Sequence, residues 1–189
     1  MITAPRPQLT GVPVLETERL RLRAPAPDDF GPFAAYCASE RSRFTGGPNE
    51  RSLAWRSFCS ITGHWVQRGY AFFVLEERAS GRAIGMAGPW FPEGWPEPEI
   101  GWQLWNLADE GRGLAREAAE AARGFAYGVL GWQTAISLIA EGNNRSVALA
   151  RKLGCRPDGI FAHAQLGNCE IWRHPAPDTL SDGGMEAYA

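Results

Sequence analysis

EIGWQLWNLADEGRGLAREAAEAARGFAY, residues 99–127, is the stretch from which the fold can be worked out. Its first part, Glu99–Trp105, has the composition of a strand, and Arg112–Leu130 has the apolar spacing of a helix. Between them lies Gly-Arg-Gly at 111–113. The start of a helix carries unpaired N–H groups and the positive end of the helix dipole, and glycine lets the backbone approach a ligand closely. We therefore predict that a phosphate-bearing ligand binds at Gly111–Arg116.

The composition is that of one globular domain. The chain has 189 residues, of which 44% are hydrophobic and 21% charged, and a chain of this length can bury a full core without covalent cross-links. We expect a single domain over residues 1–174, with 1–13 as a loose N-terminal arm and 175–189 as a disordered tail.

The charge and the cysteines exclude several classes of protein. A net charge of −2 gives no support to binding of nucleic acid or of an anionic membrane. The four cysteines are widely spaced, which favours free thiols and gives no sign of a metal site. The sequence begins without the apolar segment of a signal peptide and has no run of 18 apolar residues, so we expect a cytoplasmic protein.

The remaining elements predict a mixed α+β sheet in the order β-α-α-β-β-β-α-β-α-β-β, with hairpins in the first half and helical crossovers later. The predicted strands are short alternating or apolar runs: Leu15–Arg23, Tyr70–Glu77, Arg82–Phe91, Glu99–Trp105, Thr134–Ala140, Gly159–Ala164 and Cys169–Arg173. The predicted helices have 3.6-residue apolar spacing and lie around Phe30–Cys37, after Ser52, over Arg112–Leu130 and over Arg145–Leu153.

Two of these helices have a predicted buried face. In the helix after Ser52 it consists of Trp55, Phe58, Cys59, Thr62 and Trp65, and in the long helix it consists of Leu114, Ala118, Ala122, Phe125 and Val129.

The glycine element alone does not identify the ligand. A P-loop requires a Gly-Lys pair, which the chain lacks. A dinucleotide site requires a third glycine, but Arg116 occupies that position, and the motif would follow the first strand rather than the fourth. A plain helix start with glycines for close packing is equally compatible with the motif.

A second element, Asn143-Asn144-Arg145-Ser146 followed by Lys152-Leu-Gly154-Cys155, lies about thirty residues further on. Together the two elements resemble the GNAT acetyltransferase superfamily, whose motifs are written Q/R-x-x-G-x-G/A and N-x-x-[AS]…K-x-G-F. Glu110-x-x-Gly113-x-Ala115 matches the first motif except at its first position. The start of the folded chain, ETERLRLR, resembles the ribosomal-protein N-acetyltransferase (RimJ/RimL-type) branch in particular.

The resemblance implies a GNAT-like fold, with a central twisted mixed sheet of about six to seven strands splayed in a V and about four flanking helices. It also implies acetyl-CoA as co-substrate. The expected cofactor-binding residues are Gln103, Leu104 and Trp105 along the pantetheine arm, Gly111, Arg112, Gly113, Leu114, Ala115 and Arg116 at the pyrophosphate, and Asn143 and Ser146. The alternative role of Asn143 is to form the turn, and Glu110 is expected to point away from the phosphates.

The reaction implied by the resemblance is direct attack of an amine on the thioester. Ser146 would assist the leaving thiolate, although capping or packing of the short helix is an equal alternative. The tyrosine of many family members is replaced by Ala150, and the glutamate that the branch uses as base is replaced by Gln165. The candidate bases are Glu99 and His163, which would lie on the same face as Gln165 if that segment is a strand. The alternative for Glu99 is a solvated carboxylate at the end of a strand.

We expect the acceptor to be a primary amine, either a protein N-terminus or a small molecule, and the protein to be a monomer or homodimer. The acceptor site would be lined by Arg43–Glu50, Pro89–Pro98 and His163–Asn168. Two other interpretations stay open: a non-catalytic acyl-CoA-binding or regulatory domain of the same fold, and a nucleotide-binding protein unrelated to CoA.

Overall fold

The computed structural model describes residues 8–180, where each predicted strand and helix has a counterpart. In chain order the elements are β1 (Leu15–Glu16), β2 (Leu20–Arg23), α1 (Phe30–Cys37), α2 (Arg51–Arg68), β3 (Phe73–Glu77), β4 (Arg82–Trp90), β5 (Glu99–Leu104), α3 (Leu114–Gly128), β6 (Ile136–Ala140), α4 (Asn144–Lys152), β7 (Arg156–His163) and β8 (Gly167–Arg173). Short 3-10 turns lie at Pro27–Asp29, Glu40–Thr45, Leu107–Asp109 and Pro177–Thr179.

The strands of the described chain form one mixed sheet in the order β1-β2-β3-β4-β5-β6-β8-β7. Every neighbouring pair is antiparallel except β5 and β6, which are parallel and are joined through the crossover helix α3. The predicted α+β class is therefore confirmed.

The sheet opens between β5 and β6. The two strands share a single backbone pair, Glu99 with Ile136, although each continues for several residues beyond it. Helix α3 spans the opening, because its Phe125 belongs to the core cluster of β2–β4 while its Ala122 belongs to the cluster of β5, β6 and α4. The sheet is thus splayed in a V whose vertex lies at Glu99.

The first predicted strand is two strands, so the sheet has eight rather than six or seven. The chain reverses at Thr17–Arg19, where the N–H of Thr17 donates to Leu20 O. The carboxylate of Glu117 on α3 holds this turn, since it accepts from Thr17 Oγ1 at 2.5 Å and from Arg19 N at 2.8 Å. Strict alternation begins only at Arg19, and the contact that bends the chain joins residues about a hundred positions apart in sequence.

The buried face of α2 differs from the prediction. Trp55 is 52% exposed, and Cys59 is exposed as well. Trp55 contacts the ring of Phe30 edge-on at the surface, with the ring centroids 4.9 Å apart, so its aromatic character does not mark the core. The buried residues of α2 are Ala54, Phe58, Ile61, His64 and Trp65.

The other helix predictions need smaller corrections. Helix α2 begins at Arg51, with Glu50 rather than Ser52 as its N-cap residue. Helix α3 ends at Gly128, so Val129 lies beyond it and is exposed.

The ends of the described chain pack against the fold. Leu9 and Val12 lie against the first core cluster, while Tyr127 donates its hydroxyl to Pro175 O at 2.9 Å and Leu180 lies against the second cluster. Residues 1–7 of the predicted arm and 181–189 of the predicted tail lie outside the described residues. Within 8–180, the helices are too short or too polar to cross a membrane.

We predict opposite effects for two glycine substitutions. In Gly85→Ala the new Cβ would lie 2.2 Å from Gln103 O and 3.1 Å from Leu104 Cα, so the free energy of unfolding should fall by about 1–3 kcal/mol. In Gly63→Ala, inside α2, the Cβ would meet no heavy atom within 4 Å, so the free energy of unfolding should rise by about 0.5–1 kcal/mol. Urea denaturation of both variants measures the difference, and equal effects would contradict the close approach of β4 to β5.

Candidate functional site

A cavity of about 650 Å3 occupies the opening between β5 and β6. One side is formed by the two strands and the start of α4, and the other by the first half of the chain and the turn between β7 and β8. The cavity brings together five of the predicted site residues, namely Glu99, Gln103, Asn143, Ser146 and His163.

Other predicted residues lie outside this cavity. Trp105 is buried and packs its ring against Phe33, with centroids 5.9 Å apart, so its side chain is part of the core rather than of the opening. The glycine loop Gly111–Arg116 is a separate feature that follows the end of β5.

The loop Gly111–Arg116 presents a row of unpaired backbone donors. Gly111 and Gly113 have φ values of +73° and +82°, a conformation that side chains disfavour. No N–H group of these six residues donates to an acceptor among residues 8–180, and the first helical bond of α3 runs from Glu117 N to Gly113 O. Successive free N–H groups at a helix start form an anion-binding surface.

The two arginines of this loop hold carboxylates of the fold. Arg112 Nη2 lies 2.6 Å from Glu77 Oε1 and its Nη1 lies 3.3 Å from the buried Asp109. Arg116 Nε donates to Glu120 at 2.8 Å. Because both guanidinium groups are already paired with carboxylates, the backbone N–H groups of the loop are its main binding groups for an anion.

Glu110 stands where the family motif has Gln or Arg, and its carboxylate joins two parts of the chain. It accepts from Arg41 Nη2 at 2.6 Å and pairs with Arg145 Nη1 at 2.7 Å. Arg41 also donates to Leu104 O at 3.1 Å, at the end of β5. The negative charge of Glu110 is thus balanced by guanidinium groups on either side of the opening.

Glu99 is a buried carboxylate at the vertex of the V. It is 8% exposed, which excludes the solvated strand-end role considered above. Its Oε2 accepts from Trp95 Nε1 at 2.6 Å and its Oε1 from Leu138 N at 3.2 Å. Burial raises the pKa of Glu99 to about 7, against the opposing effect of these hydrogen bonds. Glu99 can therefore gain or lose a proton near neutral pH, as a general base must.

His163 is a poorer base in this geometry. Its Nδ1 accepts from the N–H groups of both Gln165 and Leu166 at 3.1 Å, which places the ring proton on Nε2. Desolvation lowers the pKa of His163, and with Nδ1 occupied the ring offers the cavity no free acceptor. The two residues do not share a strand, because β7 ends at His163 and Gln165 lies in the following turn, although both line the cavity.

Ser146 faces the cavity from the first turn of α4. Asn143 is the N-cap, and its Oδ1 accepts from Ser146 N at 3.3 Å, so the capping role considered for Ser146 belongs to Asn143. Ser146 Oγ accepts from Trp102 Nε1 at 3.3 Å. The hydroxyl proton of Ser146 is therefore available to an acceptor in the cavity.

Sequence reasoning missed several residues that line the cavity. Arg56 enters from α2 and Trp102 from β5. Ser137, on β6, donates to Ile100 O at 2.6 Å and lies 2.9 Å from His174 Nε2. Trp102 had a local signal, since it lies on the strand that was predicted to border the cofactor.

Comparison with known proteins gives a consistent result. A family model described as an acetyltransferase (GNAT) domain matches residues 19–156. An acetyltransferase from Agrobacterium tumefaciens is 31% identical, with a TM-score of 0.80 over 91% of this chain and 99% of that chain. A GNAT-family acetyltransferase from Bordetella pertussis, described as putative, is 28% identical, with a TM-score of 0.73 over 86% and 99%.

A third solved structure shares the fold at low identity. It is the ribosomal L7/L12 alpha-N-protein acetyltransferase RimL in complex with coenzyme A, which is 13% identical to this chain. Its TM-score is 0.69, over 86% of this chain and 97% of that chain.

The buried Glu99 predicts a specific dependence of stability on pH. Its pKa rises on folding from an ordinary 4.5 to about 7, so the folded protein binds the extra proton between these values. Stability is therefore lost as pH rises through this window and stays lower above it, by about 3 kcal/mol from this group. Glu99→Gln should remove that loss, and urea denaturation of both proteins at pH 5 and pH 8 measures it. Parallel behaviour of variant and wild type would contradict the burial of a titrating carboxylate.

Proposed function

The chain belongs to the GNAT acetyltransferase family, and we propose that it transfers an acetyl group from acetyl-CoA to a primary amine by direct attack in a ternary complex. The observation that supports this most directly is the shared cavity, which holds the buried Glu99 on β5 and the hydroxyl of Ser146 on α4. A proton acceptor and a proton donor thus lie on the two sides of one opening, as this reaction requires.

The residues present fit a CoA-type co-substrate. The free N–H groups of Gly111–Arg116 suit a diphosphate, and no neighbouring atom would lie within 4 Å of a Cβ at Gly111, so the space there is open. Beyond Glu99 the backbone of β5 is not paired with β6, so this edge can bind an extended arm along Gln103 and Leu104. When bound, acetyl-CoA supplies the activated acetyl group.

Glu99 is the base in this proposal. A primary alkylamine has a pKa of roughly 10 and arrives largely protonated. A carboxylate whose pKa is about 7 can first take a proton from the ammonium group, and the neutral nitrogen then attacks the thioester. His163 is set aside because both N–H groups of its turn already bind its free ring nitrogen.

Ser146 is the proton donor to the departing sulfur. The indole N–H of Trp102 occupies an acceptor position on Ser146 Oγ, so the hydroxyl directs its own proton elsewhere. The family's tyrosine is absent at Ala150, and this pair provides the alternative donor. A non-catalytic acyl-CoA-binding domain would have no need of such a pair.

We predict that the purified protein releases thiol from acetyl-CoA when supplied with an amine from a broad panel. Ser146→Ala should lower kcat by about 10²-fold and Glu99→Gln by about 10²–10⁴-fold, since each removes one proton transfer. Glu99→Gln should also abolish the rise of kcat/KM around pH 7 that titration of Glu99 produces. Calorimetry should show unchanged CoA affinity in Glu99→Gln, and tight CoA binding without turnover of any amine would overturn the proposal.

The glycine loop allows a separate prediction. Gly113→Val forces a β-branched residue to a φ of +82° and brings its Cβ to 3.3 Å from Arg19 Nη2, which displaces the N–H groups around it. CoA affinity measured by calorimetry should fall at least tenfold, about the effect of one charge-assisted hydrogen bond. Gly131→Val is the matched control, because Gly131 has a φ of +71° with no atom near its Cβ and lies beyond the other end of α3. Equal losses in both variants would contradict a role for the loop in binding.

A further inference from the structure

The loop between β4 and β5 brings an indole group into contact with Glu99. Within residues 8–180 the carboxylate of Glu99 accepts two hydrogen bonds, one from Trp95 Nε1 to Oε2 at 2.6 Å and one from Leu138 N to Oε1 at 3.2 Å. Both donors are N–H groups, and hydrogen bonds of this kind favour the ionised form of a carboxyl group. The shorter of the two comes from the side chain of Trp95.

The two hydrogen bonds leave part of the carboxylate open. Each carboxylate oxygen can accept two hydrogen bonds, so one position on each oxygen of Glu99 is not used by the described residues. Because Glu99 lines the cavity, the ammonium group of a bound acceptor can reach an open position. A proton taken up there stays on Glu99, since neither an indole N–H nor a backbone N–H can receive it.

The loop next to Trp95 is stiff and anchored. Pro96 and Pro98 lie on either side of Glu97, and proline fixes the backbone φ angle. The carboxylate of Glu97 pairs with both terminal nitrogens of Arg173 on β8, at 2.5 and 2.7 Å, and a bidentate pair sets orientation as well as distance. The loop therefore presents Trp95 to Glu99 in a defined position.

The ring of Trp95 also packs against another element. His163, the last residue of β7, contacts it edge-on, with the ring centroids 5.0 Å apart. The His163 ring is itself fixed, because its Nδ1 accepts from the N–H groups of Gln165 and Leu166. A functional group is held precisely when packing and hydrogen bonds fix the side chains that support it. Trp95 has both, and its indole N–H is directed at Glu99.

We propose that Trp95 is a positioning residue for the base, which keeps the Glu99 carboxylate oriented and ionised for the arriving ammonium group. This inference rests on the proposed acetyl transfer with Glu99 as its base and names a residue on which that base depends. Before the nitrogen attacks, one N–H bond of the ammonium group breaks and an O–H bond forms at an open position of Glu99. Trp95 keeps its own proton throughout.

Other ionisable groups surround Glu99, but within residues 8–180 none of them donates to its carboxylate. Burial raises the pKa of Cys169 and lowers that of His174 to about 3, so both are uncharged at neutral pH. Glu97 and Arg173 pair with each other. The other ionisable groups that line the cavity are Tyr36, Cys37, Arg56 and His163. The hydrogen bond from Trp95 is therefore the side-chain contact whose removal should change the titration of Glu99 most directly.

Titration of Glu99 itself tests the inference without turnover. Glutamate labelled with ¹³C at its side-chain carboxyl is incorporated into the full chain, and the NMR signal that is missing from Glu99→Gln belongs to Glu99. In the wild type this signal should titrate with a pKa of about 7. Trp95→Phe keeps an aromatic ring beside His163 but removes the donor, so the pKa should rise by about one to two pH units, the effect of a hydrogen bond to a charged group.

Trp90→Phe is the matched control. Trp90 lies opposite Glu99 on β4 and lines the same cavity, but its ring stacks with Phe72 and His64. The indole N–H that Glu99 accepts comes from Trp95 instead. The pKa of Glu99 in this variant should therefore stay close to the wild-type value, whatever the substitution does to the rate.

The rate of acetyl transfer gives a second readout, measured with the amine of the panel that reacts best. The kcat/KM of the wild type should rise with pH through about 7. In Trp95→Phe this rise should move to the same higher pH as the NMR titration, so kcat/KM at pH 7 falls about tenfold or more and recovers above the new midpoint. A residue with a purely structural role would lower kcat/KM by the same factor at every pH.

The possible results separate this inference from the proposed function. An unchanged pKa of Glu99 in Trp95→Phe, or an equal rise in Trp90→Phe, would overturn the inference and leave acetyl transfer intact. A raised pKa with an unmoved rate profile would mean that another group is the base, and would overturn the inference as well. Failure of every amine to react with the wild type would overturn the proposed function and, with it, the catalytic purpose of Trp95.

Discussion

The separation of β5 from β6 is the constraint on which the rest of the structure depends. A parallel pair normally continues its hydrogen bonds along both strands, but here the backbone pairing stops at Glu99 and Ile136. Side chains hold the vertex instead: Ser137 Oγ donates to Ile100 O and Glu99 accepts from Leu138 N. Glu99 and Ile136 are the first residues of β5 and β6, so the two strands are unpaired along the rest of their length and leave a cavity in the middle of the fold.

Polar groups at the vertex are buried, which is costly unless they are paired. His174 is neutral because desolvation lowers its pKa to about 3. A neutral ring with its proton on Nε2 can donate to Ser137, whose own proton then goes to Ile100 O. Glu99 is ionisable at the same vertex, and its burial is what moves its pKa into the useful range. The group that destabilises the fold is thus the one that the proposed chemistry uses.

The arginines have two kinds of role. Arg112 and Arg41 are bound to carboxylates of the fold and fix the loops next to the opening. The proposed diphosphate site therefore depends on backbone N–H groups, which need no counter-charge and keep their position because α3 is anchored to both halves of the core. Arg56 differs from these because it stands in the cavity wall.

Apart from the division of the first strand in two, the sequence by itself determined the order of elements, the α+β class and the glycine loop at Gly111–Arg116, because these depend on local periodicity and on backbone conformations that glycine adopts. It also identified Ser146 and Glu99 as candidates, through motif spacing and strand position. Only the tertiary structure decided that Glu99 is buried and that His163 uses its free nitrogen to bind its own turn. It also decided that Arg56 faces the cavity. Each of these facts depends on contacts between distant segments, which burial and hydrogen bonding establish only once the chain has folded.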